Sequence, residues 1–104
     1  MERGEVRWYT FKAPNKRRPV LILTRDRGVR MLGDLTVAQI TTAIRNIRSE
    51  VMLTANDGMP SPCVVNLDHV QTVPRKGFGS RITALSEGRM NDVREALLFA
   101  LGFE

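Results

Sequence analysis

The sequence predicts a mainly β fold, in which about six to seven short antiparallel strands form a small barrel or curled sheet that a C-terminal α-helix closes. Three observations predict this class. Short runs of β-branched, aliphatic and aromatic residues recur along the chain, clusters of Gly, Pro, Asn and Asp separate them, and only the C-terminal segment has a sustained helical period. A chain of 104 residues has room for one core, so we expect a single domain over residues 1–104.

The first two strands flank a basic loop. The alternating, aromatic-rich segment Glu5–Lys12 predicts a first strand, which Ala13-Pro14-Asn15 breaks. The apolar run Val20–Leu23 predicts a second strand buried on both faces. Pro19 suits the entry of that strand, because proline fixes φ and donates no hydrogen bond. The connection between the strands is short, which favours an antiparallel hairpin.

The middle of the chain alternates between loops and short strands. We expect a loop with one helical turn over Asp26–Asp34, and a loop or a helical turn over Thr42–Arg48. A dense turn cluster occupies Asn56–Pro62 and another turn occupies Pro74–Gly79. The remaining strands are predicted at Leu35–Thr41, Glu50–Leu53, Cys63–Leu67, Val70–Val73 and Arg81–Leu85, with an interruption at Asp68-His69.

A C-terminal helix is predicted from Glu87 to about Leu101. Ser86 is a favourable N-cap and Gly102 a favourable stop signal. Met90, Val93, Leu97 and Leu101 recur at helical spacing and define the face expected to pack on the sheet.

The chain is basic and lacks the side chains of several site types. Sixteen Lys and Arg against eleven Asp and Glu give a net charge of +5, which suggests a polyanionic or acidic partner. The lone Cys63 excludes an internal disulfide and a cysteine zinc site, and the lone His69 excludes a two-histidine metal site. We therefore expect no metal and no cofactor. No targeting segment follows Met1 and no run reaches membrane-spanning length, so we expect a cytoplasmic protein.

The excess positive charge is concentrated around the second strand. Lys12–Arg30 carries seven cations and a single acid, Asp26. Arg18 is held by rigid Pro19 at the edge of the core, where it is either a solvated loop charge or a pre-positioned phosphate binder. No phosphate-binding glycine loop and no Ser–His–Asp arrangement accompanies it. The residues alone predict a small basic β-rich domain that binds nucleic acid.

An ordered set of motifs resembles the MazF/PemK/Kid toxin family. The resemblance covers nearly the whole chain and ends in the terminal helix. Its motifs are Arg3-Gly-Glu-Val-Arg-Trp8, Arg17-Arg-Pro-Val-Leu-Ile-Leu23, Val37-Ala-Gln-Ile-Thr-Thr42, Ser61-Pro-Cys-Val-Val-Asn-Leu-Asp-His-Val70 and Arg81-Ile-Thr-Ala-Leu85.

This resemblance implies an SH3-like barrel, a homodimer, and the toxin of a type II toxin–antitoxin system. The family's toxins are metal-independent endoribonucleases that cut single-stranded RNA at short sequences, whether mRNA, rRNA or tRNA, and inhibit growth. Attack by the 2′-hydroxyl leaves a 2′,3′-cyclic phosphate and a 5′-hydroxyl. An acidic antitoxin, similar to MazE, silences them.

The family's catalytic arginine corresponds to Arg18 and its catalytic threonine to Thr41. The attack passes through a phosphorane with added negative charge, which a guanidinium stabilises through directed hydrogen bonds. Thr41 would orient the 2′-hydroxyl or bond a phosphoryl oxygen. Arginine is a poor proton shuttle because its pKa lies above about 12, so the group that protonates the 5′-oxygen stays unassigned.

Further residues are candidates for RNA binding, each with a structural alternative. Lys16 and Arg17 would follow the RNA backbone, or form a solvated loop. Thr42 and Arg45 would line the same groove, although Arg45 would equally pair with an acid. Asp68 and His69 would read bases, although a lone histidine at a strand break is often a structural hydrogen bonder. Trp8 and Tyr9 would stack on bases, although first-strand aromatics more often belong to the core.

Two other classes remain open, and one feature departs from the family. A non-catalytic gyrase inhibitor of the CcdB type would carry a Trp-Gly-Ile ending, whereas this chain ends Leu101-Gly-Phe-Glu104. A plain nucleic-acid-binding barrel would explain the charge but would make the Arg18 and Thr41 spacing accidental. The loop from Ala13 to Arg17 is shorter than in many members, so the resemblance predicts neither the recognised RNA sequence nor the effect of this loop.

Overall fold

Six antiparallel strands curl into a half-barrel in the computed structural model, which describes residues 1–12 and 16–104. The strands lie in the order β4-β5-β3-β2-β1-β6. None of the helices in these ranges is long and apolar enough to cross a bilayer. The elements are β1 Glu5–Thr10, β2 Arg17–Ile22, α1 Asp26–Met31, β3 Asp34–Thr41, β4 Glu50–Leu53, β5 Cys63–Pro74, β6 Phe78–Ala84 and α2 Glu87–Leu101, with 3-10 turns at Ala55–Asp57 and Arg75–Gly77.

The sheet has an apolar cluster on each of its two faces. Alternation along β2 sends Leu21 to the cluster beneath α2, and Val20 and Ile22 to the cluster beneath α1. All three side chains are fully buried. The prediction that this strand is buried on both faces is therefore confirmed, and the strand lies in the interior of the sheet between β1 and β3.

The C-terminal helix has the limits that the sequence predicts. The Ser86 hydroxyl accepts a hydrogen bond from the amide of Arg89 at 3.1 Å, which caps the first turn. Gly102 ends the helix in the left-handed conformation with φ of 77°. Val93 and Ala96 are buried against the sheet, and Met90 and Leu97 are partly buried there. Leu101 is 57% exposed, so its prediction as part of the packed face is wrong.

Two predicted strands are in fact one long strand. β5 runs from Cys63 to Pro74, and its pairing with β3 shifts register between Ala38, which faces Val70, and Gln39, which faces Asn66. Leu67, Asp68 and His69 stand between these two partners and form a bulge. The interruption predicted at Asp68-His69 is therefore a bulge inside a continuous strand, because a bulge breaks the pattern without ending the pairing.

The segment predicted as a loop with one helical turn is a short helix, and contacts from a distant side chain mark where it ends. Asp26–Met31 forms a helix, and the Arg75 guanidinium donates to the carbonyl oxygens of Val29 and Leu32 at its C-terminal end. The segment between β3 and β4 is a loop, which decides between the two predicted alternatives. The predicted strand break at residues 13–15 lies outside the described residues.

Candidate active site

Arg18 and Thr41 come together because β2 begins where β3 ends. Val20 of β2 pairs with Gln39 of β3 in antiparallel register. Continuing this register by two residues brings Arg18 level with Thr41, and side-chain alternation puts both on the same face. The two side chains line both of two adjoining cavities at this edge of the sheet. The pair that the resemblance predicts therefore occupies the boundary between two cavities.

Arg18 carries a positive charge that no described acid offsets. It is exposed, and it precedes Pro19, whose ring fixes the local backbone. The ion pairs found within residues 1–12 and 16–104 engage Arg7, Arg45, Arg48, Arg89 and Arg94 instead. A guanidinium without a carboxylate partner keeps its donors available for an anionic ligand.

Thr41 presents a hydroxyl whose orientation is partly set. Its Oγ1 accepts a hydrogen bond from the amide of Ala43 at 3.1 Å, a turn that forms as the chain leaves β3. Accepting this bond leaves the hydroxyl hydrogen free to donate and one lone pair free to accept. Thr41 can therefore donate a hydrogen bond to a phosphoryl oxygen beside Arg18, or accept a hydrogen bond from a nearby hydroxyl.

One of the two cavities is lined mainly by residues with polar or charged side chains and has a volume of about 280 Å³. We call it the polar cavity. Gln39 and Asn66 form part of its wall as direct cross-strand partners. His69 reaches the same cavity because the bulge in β5 places it beside them. The polar cavity is lined by Arg18, Gln39, Thr41, Ala43, Arg45, Asn66 and His69.

The other cavity is largely apolar and has a volume of about 270 Å³. We call it the apolar cavity. Trp8 lines it and is only partly buried, and the guanidinium of Arg17 lies 4.5 Å from the centre of its ring. The first-strand tryptophan is therefore not a core residue. Besides Arg18 and Thr41, the lining comprises Trp8, Arg17, Pro19, Ile40, Thr42, Met59, Pro60, Ser61, Cys63 and Ile82.

Tyr9 and Cys63 are both buried residues. Tyr9 is buried, and its hydroxyl donates to the carbonyl oxygen of Pro74 at 2.7 Å. Burial raises its pKa, with a further contribution from Asp34. Cys63 is 3% exposed, and burial raises the pKa of its thiol, as the charge of Asp57 also does. A buried thiol with a raised pKa is a poor nucleophile, so Cys63 contributes to packing rather than to chemistry.

Arg45 forms an ion pair with Glu50. Pairing with an acid is one of the two alternatives that the sequence left open for Arg45. The Glu50 carboxylate accepts from the Arg45 side chain at 3.0 Å, and from the backbone amides of Arg45 and Asn46 at 3.0 and 2.9 Å. Burial alone would raise the pKa of Glu50, but these hydrogen bonds outweigh it and lower the pKa. The ionised carboxylate folds the loop after Thr41 and holds Arg45 at the polar cavity.

Two of the predicted RNA-binding residues lie outside both cavities. The Asp68 carboxylate accepts a hydrogen bond from the buried Ser49 hydroxyl at 2.5 Å. Lys16 is exposed at the entry to β2, where its carbonyl oxygen accepts from the amide of Phe11. Arg17, Thr42, Arg45 and His69 each line one of the two cavities. Within residues 1–12 and 16–104, no group of three or more His, Cys, Asp and Glu side chains could hold a metal ion.

Sequence reasoning missed Gln39 and Asn66. Each is a polar residue with an apolar residue on either side, and that interruption is the signal that could have singled them out. Met59, Pro60 and Ile82, which line the apolar cavity, could not be singled out in the sequence. They belong to separate segments that only the fold brings together.

The fold and the paired cavities define a small basic β half-barrel with an uncompensated arginine at its edge. Residues 2–101 match the family described as the PemK-like, MazF-like toxin of type II toxin–antitoxin systems. The chain belongs to this family.

Individual relatives agree with the family assignment over nearly their whole length. The chain is 41% identical over 103 residues to a probable endoribonuclease, MazF2, of Mycobacterium tuberculosis, covering 98% of this chain and 99% of that protein. Its structure resembles that of the Mycobacterium tuberculosis toxin MazF-mt6 with a TM-score of 0.88 and 34% identity, over 96% and 98% of the two chains. It also resembles a mycobacterial endoribonuclease solved in complex with its cognate antitoxin, with a TM-score of 0.88 and 25% identity, over 100% and 97% of the two chains.

Proposed function

We propose that this toxin is an endoribonuclease that cleaves single-stranded RNA without a metal ion, with Arg18 and Thr41 as its catalytic pair. The observation that carries the proposal is the position of Arg18, unpaired with any described acid and level with Thr41 at the boundary of two cavities. A phosphodiester placed over this boundary would contact both side chains. The endoribonuclease relatives support the same reaction.

In the proposed mechanism, the 2′-hydroxyl of the substrate attacks the adjacent phosphorus and the 5′-oxygen leaves. The products are a 2′,3′-cyclic phosphate and a 5′-hydroxyl. Arg18 donates hydrogen bonds to the phosphoryl oxygens, where negative charge grows in the phosphorane. The hydroxyl of Thr41, whose oxygen already accepts from the amide of Ala43, donates to the same group and aligns it.

The surrounding cations would hold the RNA backbone. Arg17 lies on Trp8 at the apolar cavity, and Arg45 is fixed by Glu50 at the polar cavity. Lys16 extends the basic surface at the entry to β2, and Thr42 adds a hydroxyl to the apolar cavity. His69 lines the polar cavity, while Asp68 would act on RNA only from outside it.

The proposed protein partners are an acidic antitoxin and a second copy of the chain. An acidic, partly disordered antitoxin segment would complement the basic surface around Arg18. Dimerisation would cover Met52 and Phe99, which line one groove between β4 and α2, together with the 76% exposed Phe103. The proposal includes a cytoplasmic location, where cellular RNA is found.

The proposal is tested by substituting Arg18. Arg18→Ala is expected to lower the cleavage rate of a long RNA by about 10²–10³-fold or more, because a phosphorane donor is lost. The circular dichroism spectrum and the melting temperature should stay unchanged. Arg25→Ala, a control at the other end of β2, should cleave like the wild type.

One control changes the substrate and one changes the solution, and together they test attack by the 2′-hydroxyl and independence from metal ions. A 2′-deoxy substitution at the cleaved nucleotide should abolish cleavage there, whereas a chelator should leave the rate unchanged. Cleavage that survives Arg18→Ala would overturn the assignment of the catalytic pair. Cleavage of the 2′-deoxy substrate would rule out attack by the 2′-hydroxyl.

A further inference from the structure

The two cavities that share Arg18 and Thr41 differ in chemistry. Along β3, Gln39 and Thr41 face one side of the sheet and Ile40 faces the other, so the polar and apolar cavities belong to opposite faces. Each volume, about 280 and 270 Å³, lies just below the range typical of sites for drug-sized ligands. Each cavity therefore suits a single planar ring system rather than a larger ligand.

We propose that the two cavities bind the two nucleobases that flank the scissile phosphate, and that they treat these bases differently. The polar cavity recognises its base by hydrogen bonds from Gln39 and Asn66, while the apolar cavity accepts any base beside Trp8. Sequence specificity would then be strong on one side of the cleaved bond and weak on the other. This inference rests on the proposed function, since it assumes that the scissile phosphate lies at Arg18 and Thr41.

Asn66 is built as a fixed donor at the polar cavity. It is 4% exposed, and its Oδ1 accepts a hydrogen bond from the amide of Asp68 at 2.9 Å. Because this bond holds the oxygen towards the backbone of Asp68, the side-chain NH2 is the donor that the polar cavity has available for a ligand. The bulge in β5 creates the bond, since it turns the amide of Asp68 back towards Asn66.

Gln39 complements Asn66 across the strand pair. The two residues are direct partners in the β3–β5 register, and both line the polar cavity. The Gln39 side chain is only partly buried and offers both a donor and an acceptor. A carboxamide side chain has both a donor and an acceptor, so Asn and Gln can form paired hydrogen bonds with the edge of a base. Glu50, the β4 partner of Asn66, is occupied by Arg45 and leaves this edge to the amides.

The apolar cavity can contact a base, but no Asn or Gln side chain among the described residues lines it, in contrast to the polar cavity. Trp8 lines it with Met59, Pro60 and Ile82, and Arg17 lies against the indole. Stacking on an aromatic side chain tolerates every base, because each base has a π face. The Arg17 cation over the ring adds attraction for the neighbouring phosphate without reading sequence.

The test maps cleavage ends on a randomised RNA library by sequencing. For the wild type we expect one nucleotide beside the cleaved bond to be strongly constrained and the other to be tolerant. Gln39→Leu should reduce discrimination at the constrained position about tenfold or more, since it removes a paired donor and acceptor. Asn66→Asp keeps the acceptor for the amide of Asp68 but replaces the donor, so it should change the preferred base at that same position.

Two further variants complete the design. Trp8→Leu should raise KM for all sequences alike without changing the preferred base, and Trp8→Phe should restore most of the affinity. Gln71→Leu is the matched control, because Gln71 pairs with Val37 on the same face of the sheet and lines neither cavity. It should leave the cleavage profile unchanged.

The outcomes separate this inference from the function on which it rests. Wild-type protein that does not cleave RNA, or cleavage that survives Arg18→Ala, would remove the proposed function itself. If the wild type cleaves through Arg18 but constrains both flanking bases equally, the inference is wrong. It is equally wrong if folded Gln39→Leu and Asn66→Asp variants keep the wild-type profile.

Discussion

Thr41, the threonine of the proposed catalytic pair, has a hydroxyl whose position is set by a neighbouring amide. The amide of Ala43 occupies one lone pair of the hydroxyl oxygen, so the position of the oxygen is set before substrate binds. The hydroxyl hydrogen is left for the substrate. A threonine at the end of a strand therefore stabilises the turn that follows and still has a donor for a ligand beside Arg18.

This arrangement predicts different results for two substitutions of Thr41. Thr41→Val keeps the shape but removes the hydroxyl, and a hydrogen bond to a charged group contributes about 2 kcal/mol. We expect kcat to fall about thirtyfold in steady-state cleavage of a short fluorogenic RNA. Thr41→Ser should retain most of the activity. Equal losses in both variants would show that packing rather than the hydroxyl is required.

Asp57 connects three elements through its carboxylate and its backbone carbonyl. Its carboxylate accepts from the Arg89 guanidinium of α2 at 3.0 and 3.3 Å and from the amide of Thr54 at 2.9 Å. Its carbonyl oxygen accepts from the Thr83 hydroxyl of β6. The hydrogen bonds from Arg89 are the main reason that the pKa of Asp57 is lowered. The short 3-10 turn thereby joins the end of β4 to both β6 and α2.

The lowered pKa predicts how stability depends on pH. A carboxylate with a lowered pKa in the folded protein stabilises it above the ordinary pKa of 3.8, and this contribution is lost as pH falls below that value. Asp57→Asn should therefore reduce the free energy of unfolding at pH 7, and the difference from the wild type should shrink below about pH 4. Urea unfolding across this range measures it.

The control for this prediction is a second acid near Arg89. Asp92 also contacts Arg89, at 3.2 Å, but its side chain is 56% exposed. Asp92→Asn should change stability little at any pH, because exposed ion pairs contribute little. A difference between wild type and Asp57→Asn that stays constant from pH 7 to pH 3 would contradict the role given to the Asp57 carboxylate.

On the scale of the whole molecule, the cations around Arg18 are separated from the exposed residues of the proposed dimer interface. The cations around Arg18 lie where β2 begins, whereas Met52, Phe99 and Phe103 lie along β4, α2 and the C-terminal residues. The guanidinium of Arg48 covers one face of Phe99 at 4.2 Å. The groove between β4 and α2 combines Met52 and Phe99 with charged side chains, and exposed aromatic side chains beside arginine are enriched at interfaces between protein subunits.

This separation predicts that one substitution will dissociate the proposed dimer. Phe103→Asp puts a charge into the interface and should convert a dimer into a monomer in sedimentation velocity at micromolar concentration. Met31→Asp is the matched control, since Met31 is 72% exposed but lies on α1. A dimer that persists in Phe103→Asp and in Phe99→Asp would place the interface elsewhere on the molecule.

The sequence by itself determined most of the strands and the capped helix, and its resemblance to the family singled out Arg18 and Thr41 as the proposed pair. Alternation, turn residues and caps are local signals, and the order of the motifs was enough to indicate the family. Only the tertiary structure decided that β5 continues through Asp68 and His69, because a bulge is recognised by the partner strand it faces. It also decided that Gln39 meets Asn66 and that Trp8 lines a cavity, since contacts across strands depend on a register that local sequence does not encode.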